Sequence, residues 1–211
     1  LLPTLLALSA NSPYVDQRDS GLHTARTQIF TKSFPRCGVP DAFGSWQAWH
    51  DYVDTLIRTN SIVEFTQLWW SVRPHHDFGT VEVRICDAQS SAAESEALVT
   101  LITGCVLAAL REVDEGRPLP DLPVRLIEEN MWRAIRHGLD GKLLDLEGGS
   151  FDEYPAAEAV ERLCAWAGVS ADLPELNGAQ RQRRRIDAGA SPAEVYAEAV
   201  SETNAQEEVT R

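Results

Sequence analysis

A chain of 211 residues with 19 basic and 32 acidic side chains carries a formal net charge of −13, so a phosphate backbone repels it unless basic residues gather locally. General nucleic-acid binding is therefore excluded, whereas a nucleotide site, which needs only a few placed arginines and a metal ion, is not. With 44% hydrophobic and 24% charged residues, the composition is that of a globular protein with one sizeable core, or one core and a small appendage.

The chain opens Leu1-Leu2-Pro3-Thr4-Leu5-Leu6-Ala7-Leu8-Ser9-Ala10. This stretch has neither an initiator Met nor a basic leader, so it reads as the last turns of a buried helix, with a portion of protein expected before it. A polar loop follows over residues 11–21, and Ser9-Ala10-Asn11-Ser12-Pro13 is a break usable as a ligand loop or simply as a turn. Amphipathic helices are predicted near residues 22–34 and 45–59. Arg26 sits on the first, where a lone arginine is most often a surface residue. The second has Ser45 as its N-cap and Trp46, Trp49, Val53, Leu56 and Ile57 at helical spacing. Between them, Pro35-Arg36-Cys37-Gly38-Val39-Pro40 is turn chemistry.

The hydrophobic period then changes. Leu68-Trp69-Trp70-Ser71-Val72-Arg73 is rich in aromatic and β-branched residues, and Thr80-Val81-Glu82-Val83-Arg84-Ile85-Cys86-Asp87 alternates. Residues 74–79 join them as a short loop, which predicts an antiparallel pair. Val81, Val83 and Ile85 then face one way and Glu82, Arg84 and Cys86 the other, with Glu82 and Arg84 about 7 Å apart on one sheet face. A carboxylate beside a guanidinium suits phosphoryl transfer, since carboxylates bind Mg²⁺ and arginine grips carboxylate or phosphate. By spacing alone the commoner outcome is a solvated strand face, or a cross-strand ion pair with Arg73.

A long helix over residues 92–113, apolar on most of its surface, is expected to be largely buried and is stopped by Gly116-Arg117-Pro118. No run approaches the ~18 apolar residues of a membrane span, so no membrane association is expected. A helix over residues 128–137 places Arg133 and Arg136 on one side, where they could hold phosphate or form surface ion pairs. A small hairpin is expected over residues 142–149. Short helices separated by Asp-Leu-Pro and Gly-Ala-Ser-Pro breaks follow from about residue 155.

The four cysteines, Cys37, Cys86, Cys105 and Cys164, form no CxxC pair, and Cys86 and Cys105 read as small core residues. A reducing cytoplasm is the compartment this fits. His75-His76-Asp77 is a loop tripeptide rather than a metal site, and Asp77-Phe78-Gly79 is a turn without the other parts of a kinase. No Walker-type loop and no Gly-x-Ser-x-Gly elbow occurs. The basic run Gln180-Arg181-Gln182-Arg183-Arg184-Arg185 is read as balancing local acidic residues.

Several of these segments together resemble the type-2 glutamate–cysteine ligase family, the bacterial carboxylate–amine ligases related in fold to glutamine synthetase. The stretches that carry the resemblance are Leu5-Leu6-Ala7-Leu8-Ser9-Ala10-Asn11-Ser12-Pro13, Ala25-Arg26, and Trp69-Trp70-Ser71-Val72-Arg73-Pro74. They continue with Phe78-Gly79-Thr80-Val81-Glu82-Val83-Arg84-Ile85-Cys86-Asp87 and Glu129-Asn130-Met131-Trp132-Arg133-Ala134-Ile135-Arg136-His137-Gly138-Leu139-Asp140. Their order runs over most of residues 1–150, which would be the C-terminal half of the ligase catalytic domain. Residues 151–211 would be a helical C-terminal extension.

The resemblance implies an α+β fold with part of a glutamine-synthetase-like antiparallel sheet packed with helices, and ATP with Mg²⁺ as cofactors. It implies a metal-ligating role for Glu82 and substrate-carboxylate or phosphate contacts for Arg84 and Arg73. Ser9, Asn11, Arg26, Arg133 and Arg136 stand at matching positions for nucleotide binding. The reaction implied phosphorylates a carboxylate, typically the γ-carboxyl of glutamate, and an amine such as cysteine attacks the acyl phosphate. Further metal-binding carboxylates and a His-containing strand lie, in the family, before the stretch where this chain starts. The expected partners are accordingly the amino-acid substrates, the missing N-terminal half, and a second copy if the protein is an oligomer. A regulatory homologue without the chemistry, and a helical interaction module with Glu82–Arg84 as a surface pair, are the competing readings.

Overall fold

A computed structural model describes residues 1–117, 120 and 122–205; Pro118 of the expected helix stop, and the end of the expected extension, residues 206–211, lie outside them. The described residues are mixed α and β, as the sequence predicts, and divide into two units, Leu1–Gln28 with Cys86–Arg211 and Ile29–Ile85.

The first unit is built around α1 (Leu2–Ser9), whose residues from Pro3 onward are all buried. Apolar side chains on every face of a short helix require neighbours on every face. α1 packs against α5 (Val124–His137) and α6 (Ala156–Ala167), and α6 in turn packs against α4 (Ala92–Asp114). Leu6, Leu101, Ala134, Leu143 and Ala156 form the tightly enclosed part of this core. The carbonyls at the end of α1, which no helix can satisfy by itself, go to distant donors. Asn177 Nδ2 donates to Ala7 O at 2.8 Å, Gln89 Nε2 to Ser9 O at 2.9 Å, and the Ala179 amide to Ala10 O at 2.8 Å.

Asn177 is also the N-cap of α7 (Gly178–Asp187) and forms a complete capping box with Gln180. The C-terminal end of one helix thus meets the N-terminal end of another, a favourable alignment of their dipoles. The basic run on α7 balances acidic partners as expected: Arg181 pairs with Glu94, Arg183 takes both oxygens of Asp19 at 2.9 Å, and Arg185 pairs with Glu198 on α8 (Pro192–Ala205).

Several expectations need correction. Residues 11–21 are not merely a loop but hold a tight hairpin, β1 (Tyr14–Val15) against β2 (Arg18–Asp19). Its turn puts Asp16 and Gln17 at φ of 48° and 63°, the geometry for which Asn-Gly is the usual signal, so the pair is hard to see in the sequence. α4 is not largely buried. Its inner face (Ala97, Leu98, Leu101, Cys105, Ala108) is enclosed, whereas Val99, Leu107, Leu110 and Val113 are exposed. By length and composition α4 is also apolar enough to cross a membrane, contrary to the expectation of no such run, although its inner face packs as a core helix does. The helix ends as predicted at Gly116, at φ 68°. The expected hairpin over 142–149 is longer, with β7 (Lys142–Leu144) pairing with β8 (Glu153–Pro155). Gly148-Gly149 belongs to its loop, where the Asp145 carboxylate accepts from the amides of Glu147 and Gly148. The Asn130 side chain, buried on α5, exchanges two hydrogen bonds with Leu144 and pins β7 to the helix.

In the second unit α2 (Ala25–Ser33), which begins in the first unit, brings Phe30 to the ring of Trp69, and Phe34 just beyond its end meets the same ring. α3 (Trp46–Arg58) starts at Ser45, whose hydroxyl accepts from the Ala48 amide at 3.1 Å. Trp49, Val53, Ile62, Leu68 and Trp70 form its core, with Phe43, Tyr52, Leu56 and Phe65 against them. Trp46 and Ile57 remain exposed, so the buried stripe is narrower than the pattern suggests. The expected turn over 35–40 holds β3 (Cys37–Gly38), which pairs in parallel with β4 (Trp69–Trp70). β5 (Val72–His75) and β6 (Thr80–Val83) form the predicted antiparallel pair, though β5 starts only at Val72 and takes in Pro74 and His75, which the sequence assigns to the loop, and β6 ends four residues before Asp87. Proline is tolerated at Pro74 because two-stranded pairs consist of edges.

Gly178 tests the junction between α1 and α7. A Cβ there would lie 1.7 Å from Asn11 Oδ1, so Gly178→Ala, which raises helix propensity, should nonetheless lower stability by about 1–3 kcal/mol. Urea unfolding measures it, and an unchanged or raised midpoint would show that the loop gives way freely.

Candidate functional site

Three groups of polar side chains contain all the residues singled out from the sequence. The first lies on the β5–β6 pair. The register sets Arg73 opposite Glu82, and Arg73 Nε donates to Glu82 Oε2 at 2.8 Å. Arg84 Nε stands 3.3 Å from Glu82 Oε1, and its guanidinium lies 5.6 Å from the centre of the Phe30 ring. Glu82 and Arg84 share a face as expected, and the cross-strand pair with Arg73 is present as well. Arg73 is the buried member. Its Nη1 also donates to the carbonyls of Thr66, at 2.5 Å, and Leu68, at 2.8 Å. The side chain of Glu82 is 38% exposed and that of Arg84 24%, so these two remain accessible on the pair.

The second group gathers at the start of α2, in the first unit. Its centre is Asp87, which no local pattern in the sequence marks out. Asp87 is buried, and its Oδ2 accepts from the Asn11 amide at 2.9 Å and the Ser12 hydroxyl at 2.7 Å. Oδ1 accepts from the Thr24 hydroxyl at 3.0 Å and stands 3.6 Å from Arg26 Nη1. Ser12 Oγ in turn accepts from the Arg26 amide at 3.1 Å, and Thr24 Oγ1 from the Thr27 amide at 3.4 Å, which caps α2. Arg26 is thus an ion-pair partner, with its side chain 44% exposed. The side chain of Asn11 is engaged in packing the loop: Nδ2 donates to Ala88 O and toward Ser90 Oγ, and Oδ1 accepts from Gln182. Ser9 is fully buried beside Cys86, whose thiol is pushed up from its ordinary range by burial, with the Ser9 hydroxyl opposing part of that shift.

The third group lies along α5. Arg133 and Arg136, three positions apart, go to different neighbours. Arg133 donates to Glu129 at 3.1 Å and Glu153 at 2.6 Å, and those carboxylates raise its pKa. It lines a cleft of about 440 Å³ with Glu129, His137, Asp140, Lys142 and Glu153, in which charges of both signs alternate. Arg136 is exposed next to Gly21, and its charge helps hold the Asp19 carboxyl below the usual range, chiefly the work of the Arg183 hydrogen bonds.

The side chains described do not by themselves build a divalent-cation site. Glu82 is a single carboxylate between two guanidiniums, and among the described residues no three His, Cys, Asp or Glu side chains are grouped to hold a metal. His76 pairs with Asp77, and all four cysteines are unpaired. What the arrangement offers instead is cationic: an accessible arginine tied to a carboxylate in each unit, the form in which proteins bind carboxylates and phosphates.

The model of glutamate–cysteine ligase family 2 matches residues 1–211. A Rubrobacter xylanophilus protein named "Putative glutamate–cysteine ligase 2-2" is 41% identical over 177 residues, covering 83% of this chain and 46% of its own length. A Gloeobacter violaceus protein named "Putative glutamate–cysteine ligase 2" is 39% identical over 199 residues, covering 86% and 52%. The glutamate–cysteine ligase of Natronomonas pharaonis is 39% identical over 190 residues, covering 88% and 51%. The chain therefore spans about half the length of these relatives.

The two arginines of the β5–β6 pair should separate on mutation. Arg73→Ala leaves two carbonyls and one oxygen of the Glu82 carboxylate without their donor and should cost about 1–3 kcal/mol. Arg84→Ala removes a more exposed partner and should cost less than about 1 kcal/mol. Unfolding followed by tryptophan fluorescence reads both, and the reverse order would contradict the anchoring role of Arg73.

Proposed function

The chain belongs to glutamate–cysteine ligase family 2, and from that membership we propose that the full-length protein is an ATP-dependent carboxylate–amine ligase. The proposed acyl donor is glutamate, through its γ-carboxyl, and the acceptor is an amine such as cysteine. A carboxylate is a poor electrophile because its carbon carries no good leaving group. Transfer of the γ-phosphoryl group of ATP to a carboxylate oxygen gives an acyl phosphate and ADP. The amine nitrogen then attacks the carbonyl carbon, phosphate leaves with the C–O electron pair, and the nitrogen gives up a proton to form the amide.

The observation that carries the reading is the match over residues 1–211 together with the Glu82–Arg84 pair inside it, at the end of β6. Arg84 would neutralise the substrate carboxylate or the phosphoryl group in transit, and Arg26 would take an anionic group of nucleotide or substrate. Arg73 holds Glu82 in place. Arg133 is already matched by two carboxylates, which leaves it little to offer a phosphate. The bound Mg²⁺ of the proposed reaction would screen the phosphates. Glu82 fits as one of its ligands, the others having to come from the half of the relatives' length that this chain does not span. The remaining portion of the same protein is accordingly the partner proposed, and the cytoplasm the compartment.

The test is ADP release with product masses from the full-length protein, supplied with Mg²⁺, ATP, glutamate and a panel of amines. Amine-dependent ADP and a condensed mass establish the ligase and name its substrates, and Glu82→Ala should lower kcat by about 100-fold or more with the fold intact. A folded full-length protein that releases no ADP across the panel would leave the regulatory homologue as the reading. An active enzyme unaffected by Glu82→Ala would remove that residue from the metal site.

A further inference from the structure

The Asp87 cluster holds more than the fold requires. A carboxylate whose side chain is 2% exposed must be compensated, because an uncompensated buried charge is costly. Among the described residues, the Asn11 amide, the Ser12 and Thr24 hydroxyls and the Arg26 guanidinium, all from residues 11–26, meet its two oxygens. Buried charge assemblies of this kind add little stability compared with apolar side chains of the same volume, so their effect lies in placement.

The placement converges on Arg26. Its guanidinium stands against Asp87 Oδ1, while its backbone amide donates to Ser12 Oγ, and the same hydroxyl donates to Asp87 Oδ2. One carboxylate thus governs both ends of the residue, the head directly and the backbone through Ser12. An arginine that served only as a surface charge would gain nothing from losing that freedom, which costs up to about 2 kcal/mol of side-chain entropy. An arginine that must meet an anion in one orientation gains from being fixed beforehand. The loop that carries Ser12 is secured from its other side, where Asn11 is held by Ala88, Ser90 and Gln182.

We propose that Asp87 is a positioning residue that orients Arg26, and the Asn11–Ser12 backbone with it, for an anionic group of the nucleotide or of the amino-acid substrate. This role rests on the ligase reading above. Asp87 touches no reacting atom; it acts through Arg26.

A double-mutant cycle in the full-length protein tests it, with KM for ATP and for glutamate and kcat measured for wild type, Asp87→Asn, Arg26→Ala and the double variant. Asparagine keeps the shape and the acceptor for the Asn11 amide while removing the charge. Asp87→Asn should raise, by about tenfold, the KM of the same substrate whose KM rises in Arg26→Ala, and should add no further rise when Arg26 is already alanine. Equal rises in both backgrounds, or a fall in kcat with both KM values unchanged, would overturn the positioning role. If Asp87→Asn does not fold, Ser12→Ala, which cuts the backbone tie and leaves the carboxylate, takes its place in the cycle with the same criteria. A wild type that neither ligates nor binds ATP overturns the ligase reading and this role together. An active wild type with additive variants overturns the role of Asp87 alone.

Discussion

A negative charge enclosed by protein has to be met from close by, and the way Asp87 is met determines where the segments around it run. The loop after α1, the entry to α2 and the segment leading to α4 come together at its two oxygens. Thr24, Ser12 and Asn11 are short polar residues with little to bury, so direction comes from hydrogen bonds and bulk stability comes from α1, α5 and α6 beside them.

The second unit applies the same division of labour with the signs exchanged. Arg73 is the enclosed charge, and two backbone carbonyls and Glu82 supply what water would otherwise give it. The aromatic cluster around Trp49 and Trp70 provides the apolar burial, while the guanidinium fixes how β5 and β6 present Glu82 and Arg84. In each unit the better-buried ion is therefore the less suitable ligand contact, because its bonds are spent on structure. The more exposed members are Arg26 beside Asp87 and Glu82 with Arg84 beside Arg73.

Much of this is legible in the sequence where one local rule acts alone. Period-two alternation gives the β5–β6 pair, Ser45 gives the start of α3, Gly116 gives the end of α4, and the Asp-Leu-Pro and Gly-Ala-Ser-Pro breaks separate the last helices. What escapes is decided by neighbours far along the chain. Two-residue strands such as β1 and β3 have too few side chains to show a period, and the turn at Asp16-Gln17 lacks glycine. The partners of Asp87 lie 61 to 76 residues away in sequence, so nothing local distinguishes it from any other aspartate. α4 misleads for the opposite reason. Its composition is apolar all round, but only one face finds a neighbour among the described residues.

The bond from Asn177 to the carbonyl of Ala7 joins residues 170 apart in sequence. A helix is usually completed by groups within a few residues of its end, so that it can form as soon as it is made. α1 is not completed in that way, since its terminal carbonyls wait for Gln89 and then for the start of α7. Closing so long a loop carries an entropic cost that shorter contacts do not. During synthesis, the most apolar helix of the first unit leaves the ribosome well before the residues that will finish it. Its lipophilic surface is then in the keeping of whatever it meets first.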